Sequence, residues 1–191
     1  MYDAFDDPYC YPGTDVLRNK LNLHDADALE AFETEITAAR ASEPLPSGRF
    51  GVAHYRAIHR HLFQDIYSWA GKFRTVRIAK GGNAFCYPEY IAPEMNHLFD
   101  GLRADRWLRN RSTAAFIAGA TDFLTVLNQI HPFREGNGRT QLAFLAVLAQ
   151  QAGYSLDFGN LDSVAMLDAM IASFRDDKEP LRRVLAAMIG G

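Results

Sequence analysis

Residues His131 to Gly153 read HPFREGNGRTQLAFLAVLAQQAG: a histidine, an acid and two glycines directly ahead of an apolar, strongly helical run. The glycines of Gly136-Asn137-Gly138 let the backbone turn where a side chain would clash, so the first amides of the next helix point outward together. A helix N-terminus of this kind carries partial positive charge and a concave set of donors, which suits phosphate oxygens. Arg139 falls in the first turn, where a cation is unfavourable unless an anion sits beside it, and so it points to a bound phosphate. Glu135 immediately precedes the nest. A single carboxylate beside a polyphosphate is a common way to hold Mg²⁺, with phosphate oxygens and water in the remaining positions. His131 stands near the end of the preceding helix, where a neutral imidazole can take a proton from an incoming hydroxyl. Pro132 stiffens the link and Phe133 gives the loop an apolar anchor. Singly these residues read blandly, as a cap, a tight turn and a solvated acid; packed into one short loop they specify a chemistry.

The remaining sequence bounds the setting. With 191 residues and 48% hydrophobic content, the chain can build a sizeable core, and residues 1–191 are expected to form one domain. A net charge of −3 gives no overall basic field, which argues against direct nucleic-acid binding and against an anionic membrane surface. Two cysteines, Cys10 and Cys86, do not make a disulfide framework, and MYDAFDDPYC is acidic rather than signal-like. No apolar run approaches the ~20 residues that span a bilayer. A reduced, cytoplasmic protein is the expectation.

Along the chain, Pro12-Gly13 marks a turn. Asp27 and Glu30 form a D-x-x-E capping pattern ahead of Leu29, Phe32, Ile36 and Ala39 at helical spacing. Residues 42–51 form a loop, and Val52, Tyr55, Ile58, Leu62, Phe63 and Ile66 then line a second amphipathic helix. GKFRTVRIAKGGNAFCYPEYI changes character: Val76 and Ile78 alternate with polar neighbours, Gly81-Gly82-Asn83 turns, and Ala84 to Tyr87 returns. This is a β-hairpin over about 74–87, with the only strand signal in the chain. Ile91, Met95, Leu98 and Leu102 resume the helical pattern, followed by a run from Ser112 to about Ile130 and another from Asn137 to Gln151. Asp162 and Glu179 open two shorter helices. The fold class is therefore all-α with one β-hairpin.

H-P-F-R-E-G-N-G-R closely resembles the signature of the Fic family, H-x-F-x-[D/E]-G-N-G-R-x-x-R. Six fixed residue types and one acidic choice coincide by chance on the order of 10⁻⁹ per position. YSWAGKFRTVRIAKGGNAFCYPEYI is similar to the family's flap hairpin and its flanks, and DPYCYPGTDVLRNKL resembles the N-terminal segment of its compact bacterial toxins. The resemblance implies a Fic-like helical bundle and a protein adenylyltransferase that moves AMP from ATP to a Ser, Thr or Tyr hydroxyl of a target. On that resemblance His131 is the base of a catalytic loop over 131–139, and Glu135 holds Mg²⁺ between the α- and β-phosphates. Gly136, Asn137 and Gly138 form the anion hole, Arg139 meets the phosphates and Phe133 fixes the loop. The target would dock on the flap hairpin, and toxins of this kind act on type II topoisomerases.

One position departs from the signature. The family's second arginine, which orients the γ-phosphate and partners an inhibitory glutamate, would fall at Leu142. Leu142 either extends the apolar stripe of Ala146 and Ala149 or faces the cleft, one turn after Arg139 on the face of Gly138. The alternative reading follows: a Fic-fold nucleotide- or partner-binding module with weakened or redirected chemistry. Intact His131 and Glu135 favour the enzyme, since a pure binder needs no base. No Ser or Thr is followed four residues later by Glu, so the family's inhibitory [S/T]-x-x-x-E-[G/N] helix is absent from the sequence. Restraint would then come from a separate small antitoxin protein, as in toxin–antitoxin modules.

Other candidates are weaker. His54, His59 and His61 lack an i,i+4 pair or a nearby cysteine, so a covered polar helix face explains them better than zinc. Arg103, Arg106, Arg109 and Arg111 read as solvated surface. Lys80 and Arg77 suit either a target contact or an edge strand protected by charge.

Overall fold

Capping side chains of Asp25, Ser112 and Asp162 start three helices, whereas two others start at glycines and one at a proline. In the computed structural model, which describes residues 7–189, α1 (Ala26–Ser42) is capped by Asp25, whose carboxylate accepts from the Ala28 amide at 2.8 Å. The expected Asp27–Glu30 box is therefore displaced: the chain is still extended at Asp25, and Asp27 falls inside the first turn, where an acid suits the helix dipole. α2 (Val52–Phe63) follows Gly51, and α3 (Pro88–Ala104) opens on a proline, whose missing N–H costs nothing there. Ser112 caps α4 (Thr113–Ile130), Gly136 starts α5 (Asn137–Ala152), and Gly153 ends it at φ +90°. Asp162 accepts from two amides of α6 (Ser163–Phe174), and α7 (Glu179–Ile189) completes the order. The expected ends of a 1–191 domain lie outside the described residues.

The hairpin is much shorter than its sequence suggests. β1 (Ala79–Lys80) pairs antiparallel with β2 (Asn83–Ala84), in register Ala79↔Ala84 and Lys80↔Asn83, across a Gly81-Gly82 turn with both φ positive. Asn83 thus belongs to the strand rather than the turn. One further bond joins the legs, from the Phe85 amide to the Ile78 carbonyl at 3.2 Å, and beyond it they bond to α4 and its exit. The Arg74 amide donates to the Pro132 carbonyl at 2.9 Å, and the Cys86 amide donates to Gln129 at 3.1 Å.

α4 is apolar nearly all round and occupies the centre, burying Phe116, Ala120, Phe123, Leu124, Leu127 and Ile130. Phe144 of α5 meets the rings of Tyr55, Phe99 and Phe123 edge-on or tilted, with centroids 5.4 to 5.7 Å away. A buried phenylalanine contributes about 1.5–3 kcal/mol and such ring pairs add to it, so α5 is held rigidly two turns beyond its N-terminus. That rigidity fixes where the Gly136 nest points.

Two helical faces differ from the expected stripes. α1 buries Leu29, Glu33 and Thr37, whereas Phe32 and Ile36 are half-buried and Ala39 is exposed. α2 buries His54 and His59 beside its apolar residues, so these histidines belong to the inner face and not to a covered polar face. Glu33, Thr37 and His59 meet polar partners from distant segments, and His54 bonds the Pro46 carbonyl and the Phe50 amide of the loop just before α2.

Candidate active site

The connection between α4 and α5 carries His131, Glu135 and Gly136, and the first turn of α5 adds Asn137, Gly138 and Arg139. His131 ends α4 in the left-handed region, at φ 48° and ψ 63°, a conformation that costs a residue with a Cβ roughly 1–2 kcal/mol. Its side chain is 7% exposed, with Nδ1 at 3.1 Å from the Asn128 carbonyl and the ring stacked on Phe85 at a 3.9 Å centroid separation. A carbonyl only accepts, so Nδ1 carries the hydrogen and Nε2 holds the lone pair, the tautomer a general base requires. Burial drives the imidazole pKa down from 6.5 to about 3, opposed by the Asn128 carbonyl and reinforced by the cations Arg74 and Lys80. The ring is neutral at physiological pH.

Downstream, the loop is locked from within. Asn137 is buried, and its side-chain amide grips both backbone groups of Phe133: Oδ1 accepts from the amide at 3.0 Å and Nδ2 donates to the carbonyl at 2.9 Å. What it can offer an anion is therefore its main-chain amide, because the side chain is engaged in holding the turn. Phe133 is fully buried and stacks on His59 with centroids 3.7 Å apart, as expected of an anchor. His59 accepts from the Gly71 amide at Nδ1 (2.8 Å) and so donates from Nε2 to the Glu135 carbonyl (3.0 Å). Its pKa is lowered to about 3, again chiefly by burial. Arg134 binds Asp7 at 2.6 Å and ties the N-terminal segment to the loop.

The two glycines of the nest answer different demands. Gly136 has φ +80°, and an added Cβ would stand 2.2 Å from the Phe63 ring, so the fold itself requires glycine. An added Cβ at Gly138 would meet nothing within 4 Å; the space in front of it is open to a ligand. The first-turn amides of α5 have no intrahelical acceptor and face that space. Glu135 folds back so that Oε1 accepts from the Gly136 amide at 2.8 Å. Its side chain is 30% exposed, and burial together with the nearby Glu33 carboxylate raises its pKa. A single carboxylate at the lip of an amide nest fits Mg²⁺ carried mostly by phosphate oxygens and water. Among the described residues no group of three or more His, Cys, Asp or Glu is placed to hold a metal without such help.

Arg139 is partnered by a residue that the sequence did not flag. Its Nη2 forms an ion pair with Glu33 of α1, its Nη1 donates to the Thr37 hydroxyl at 3.2 Å, and the guanidinium lies 4.8 Å over the Phe63 ring. Glu33 is in turn bonded by the Tyr67 hydroxyl. The guanidinium is still 37% exposed and stands 3.7 Å from Glu135, so one face remains open beside the nest. A clue existed in the sequence: an acid at position 33, one turn after Leu29, sits where a helix facing the core normally carries an apolar side chain.

His131, Glu135, Gly136, Gly138 and Arg139 line one cavity of about 710 Å³ between the loop, the hairpin and α6, whose Met166, Leu167, Met170 and Ile171 form an apolar wall. A second cavity of about 1040 Å³ lies between α1 and α5 and shares Glu135, Arg139 and Leu142 with the first. Leu142 is half-buried: it packs against the apolar core and also lines both cavities, so stripe and cleft are both served by the one side chain.

Comparison with known proteins agrees with this architecture. The model of the Fic/DOC family matches residues 49–149. "Probable protein adenylyltransferase y4lH" of Sinorhizobium fredii is 53% identical over 189 residues, covering 98% of each chain. The N-terminal Fic domain of a VirB-translocated Bep effector protein from Bartonella quintana, solved with bound ADP, superimposes with a TM-score of 0.86 at 32% identity, over 94% of this chain and 93% of that one. BepC from Bartonella tribocorum, solved with bound AMPPNP, gives a TM-score of 0.85 at 28% identity, over 94% and 95% of the two chains. A family match over more than half of the sequence, and a relative more than half identical along almost its whole length, carry the conclusion that this chain belongs to the Fic/DOC family.

Proposed function

We propose that the chain is a protein adenylyltransferase that moves AMP from ATP to a Ser, Thr or Tyr hydroxyl of another protein. The observation that carries this reading is the convergence of His131, Glu135 and the Gly136–Arg139 nest on one cavity. Curated relatives bear the name protein adenylyltransferase, and related Fic structures hold ADP and AMPPNP. The 710 Å³ cavity suits a nucleotide, with phosphates at the α5 N-terminus and the base against Met166, Leu167, Met170 and Ile171.

The chemistry follows from the residues. The target hydroxyl oxygen attacks the α-phosphorus while its proton passes to Nε2 of His131, the nitrogen left basic by the Asn128 contact. The new O–P bond forms as the bond to the bridging oxygen breaks, and pyrophosphate leaves with that electron pair. The Asn137 and Gly138 amides and the open face of Arg139 stabilise the charge that develops on the phosphates. Glu135 would hold Mg²⁺, which when bound neutralises phosphate charge and orients the leaving group. His59 and Asn137 keep the loop in one geometry while the charge moves.

The finer reading takes residues 1–191 as one Fic domain, cytoplasmic, and the toxin of a toxin–antitoxin module. The target would lie extended along the hairpin of residues 74–87, through main-chain hydrogen bonds at a strand edge; a type II topoisomerase subunit is the candidate. A separate antitoxin helix would lie in the 1040 Å³ cavity that Arg139 and Leu142 share with the nucleotide site. Among the described residues no helix is long and apolar enough to cross a membrane.

A second reading has specific observations in its favour. Leu142 brings no cation to the cavity and Glu33 holds Arg139, which together favour a binding module with weak transfer. Incubating the chain with α-labelled ATP, Mg²⁺ and bacterial lysate separates the two. Label on a target protein that is lost with His131→Ala supports the enzyme. Saturable nucleotide binding with no label on any protein supports the binding module.

A further inference from the structure

His131 occupies a left-handed conformation that helices usually reserve for glycine. If its imidazole is the base, glycine is not an option there, and something else must hold the backbone. Arg74 is placed to do so. It is 2% exposed, and its guanidinium donates from Nε to the His131 carbonyl at 2.8 Å and from Nη2 to the Ile130 carbonyl at 3.2 Å. The same group donates from Nη1 to Val76 at 2.7 Å and from Nη2 to Cys86 at 2.5 Å, one carbonyl on each leg of the hairpin. A cation at this point also complements the C-terminal end of the α4 dipole.

Two further contacts run beside it. The Arg74 and Cys86 amides bond the Pro132 and Gln129 carbonyls on either side of His131, and Phe85 stacks on the imidazole. The hairpin and the histidine are thus one mechanical unit, with a single guanidinium at its centre. Lysine cannot replace it, because one ammonium presents its donors from a point, whereas the planar fork reaches acceptors in several directions.

We propose that Arg74 is a positioning residue for AMP transfer: by binding the carbonyls of Ile130, His131, Val76 and Cys86 together, it fixes the imidazole relative to the strand that receives the target. The proposal rests on reading His131 as the base. It predicts a defect in the chemical step with nucleotide binding spared, because the nest belongs to α5 and is held by Asn137 and His59 instead.

The test compares the parent chain with Arg74→Lys, Arg74→Gln and His131→Ala. The initial rate of labelling of the strongest lysate band is measured against ATP concentration, and the Kd of a fluorescent ATP analogue is measured directly. Both Arg74 variants should lose at least about tenfold in maximal rate, while the half-saturating ATP concentration and the Kd stay within about twofold. A maximal rate within twofold of the parent overturns the proposal. So does a parallel fall of rate and affinity, or loss of the folded state in both variants by circular dichroism, since either marks Arg74 as a stability residue only. Undiminished labelling by His131→Ala would instead remove the base and leave the Arg74 comparison to a second measurement. Nitrogen-15 resonances of the His131 ring should report one Nδ1–H tautomer in the parent and a mixed or exchange-broadened signal in Arg74→Lys. An unchanged ring signal in both variants overturns the proposal whether or not any protein is labelled.

Discussion

At one end of the catalytic loop, His131 lies under the Phe85 ring with its backbone held by Arg74 and its pKa pushed down to about 3 by burial. At the other end, Arg139 stands 37% exposed between two carboxylates, Glu33 and Glu135. The first end is dry, neutral and fixed by hydrogen bonds to backbone carbonyls. The second is charged, partly wet and fixed by ion pairs that a phosphate can rival. On the proposed function, the difference matches two tasks. A base must stay unprotonated and hold one orientation, which desolvation and a locked tautomer provide. A phosphate site must accept a large charge on binding, which needs cations and amides that remain reachable.

The comparison breaks most visibly at the dry end. His131→Ala should lower AMP transfer by ~10²–10⁴-fold while leaving the Kd for ATP nearly unchanged, as measured by α-label transfer and fluorescent-analogue binding. An equal loss of binding would mean that the two ends do not separate into base and phosphate site.

Next in size is a contrast within the nest. Gly136→Ala combines left-handed backbone strain with a clash against Phe63 and should destabilise the fold by about 2–5 kcal/mol in urea denaturation. Gly138→Ala should stay within ~0.5 kcal/mol of the parent, since its Cβ enters open space, yet weaken nucleotide binding. Similar stability losses in both would contradict the assignment of one glycine to the fold and the other to the ligand.

Leu142→Arg sharpens the charged end. The position faces both cavities, so the new guanidinium can reach phosphate without entering the core. A charge-assisted contact of ~1.5–3 kcal/mol should raise ATP affinity or transfer rate by roughly ten- to a hundredfold, with little change in melting temperature. A stable variant with no gain in either would mean that Arg139 and the amides hold the phosphates unaided.

The smallest effect concerns acid. His59 and His131 have folded pKa values of about 3 against 6.5 when unfolded, so below pH 6.5 the unfolded chain binds protons that the folded chain refuses. Their contribution to stability is complete above pH 6.5 and declines as pH falls toward 3, by about 1.4 kcal/mol per pH unit for each histidine. Urea denaturation at pH 7.5 and 5.5 should therefore reveal a loss that His131→Ala reduces by about 1.4 kcal/mol. An identical loss in the variant would place the acid sensitivity elsewhere.

The loop from His131 to Arg139, the helix that follows it and the presence of a hairpin ahead of them are legible in the residues alone. Those features are contiguous, and local chemistry dictates them: glycines that turn, a cap that starts a helix, apolar residues at helical spacing. Tertiary structure alone decided who holds the loop. Glu33 and Thr37 of α1, His59 of α2 and Arg74 reach it from distant stretches of chain, and Tyr67 holds Glu33 in turn. It also decided that the hairpin pairs only two residues per strand, because its legs bond to α4 and its exit. A buried polar side chain has a meaning only through its partner, and the partner is chosen by how helices pack rather than by what stands nearby in sequence. Hence neither Glu33 nor Arg74 declares its role until α1 and the hairpin are folded against the ends of α5 and α4.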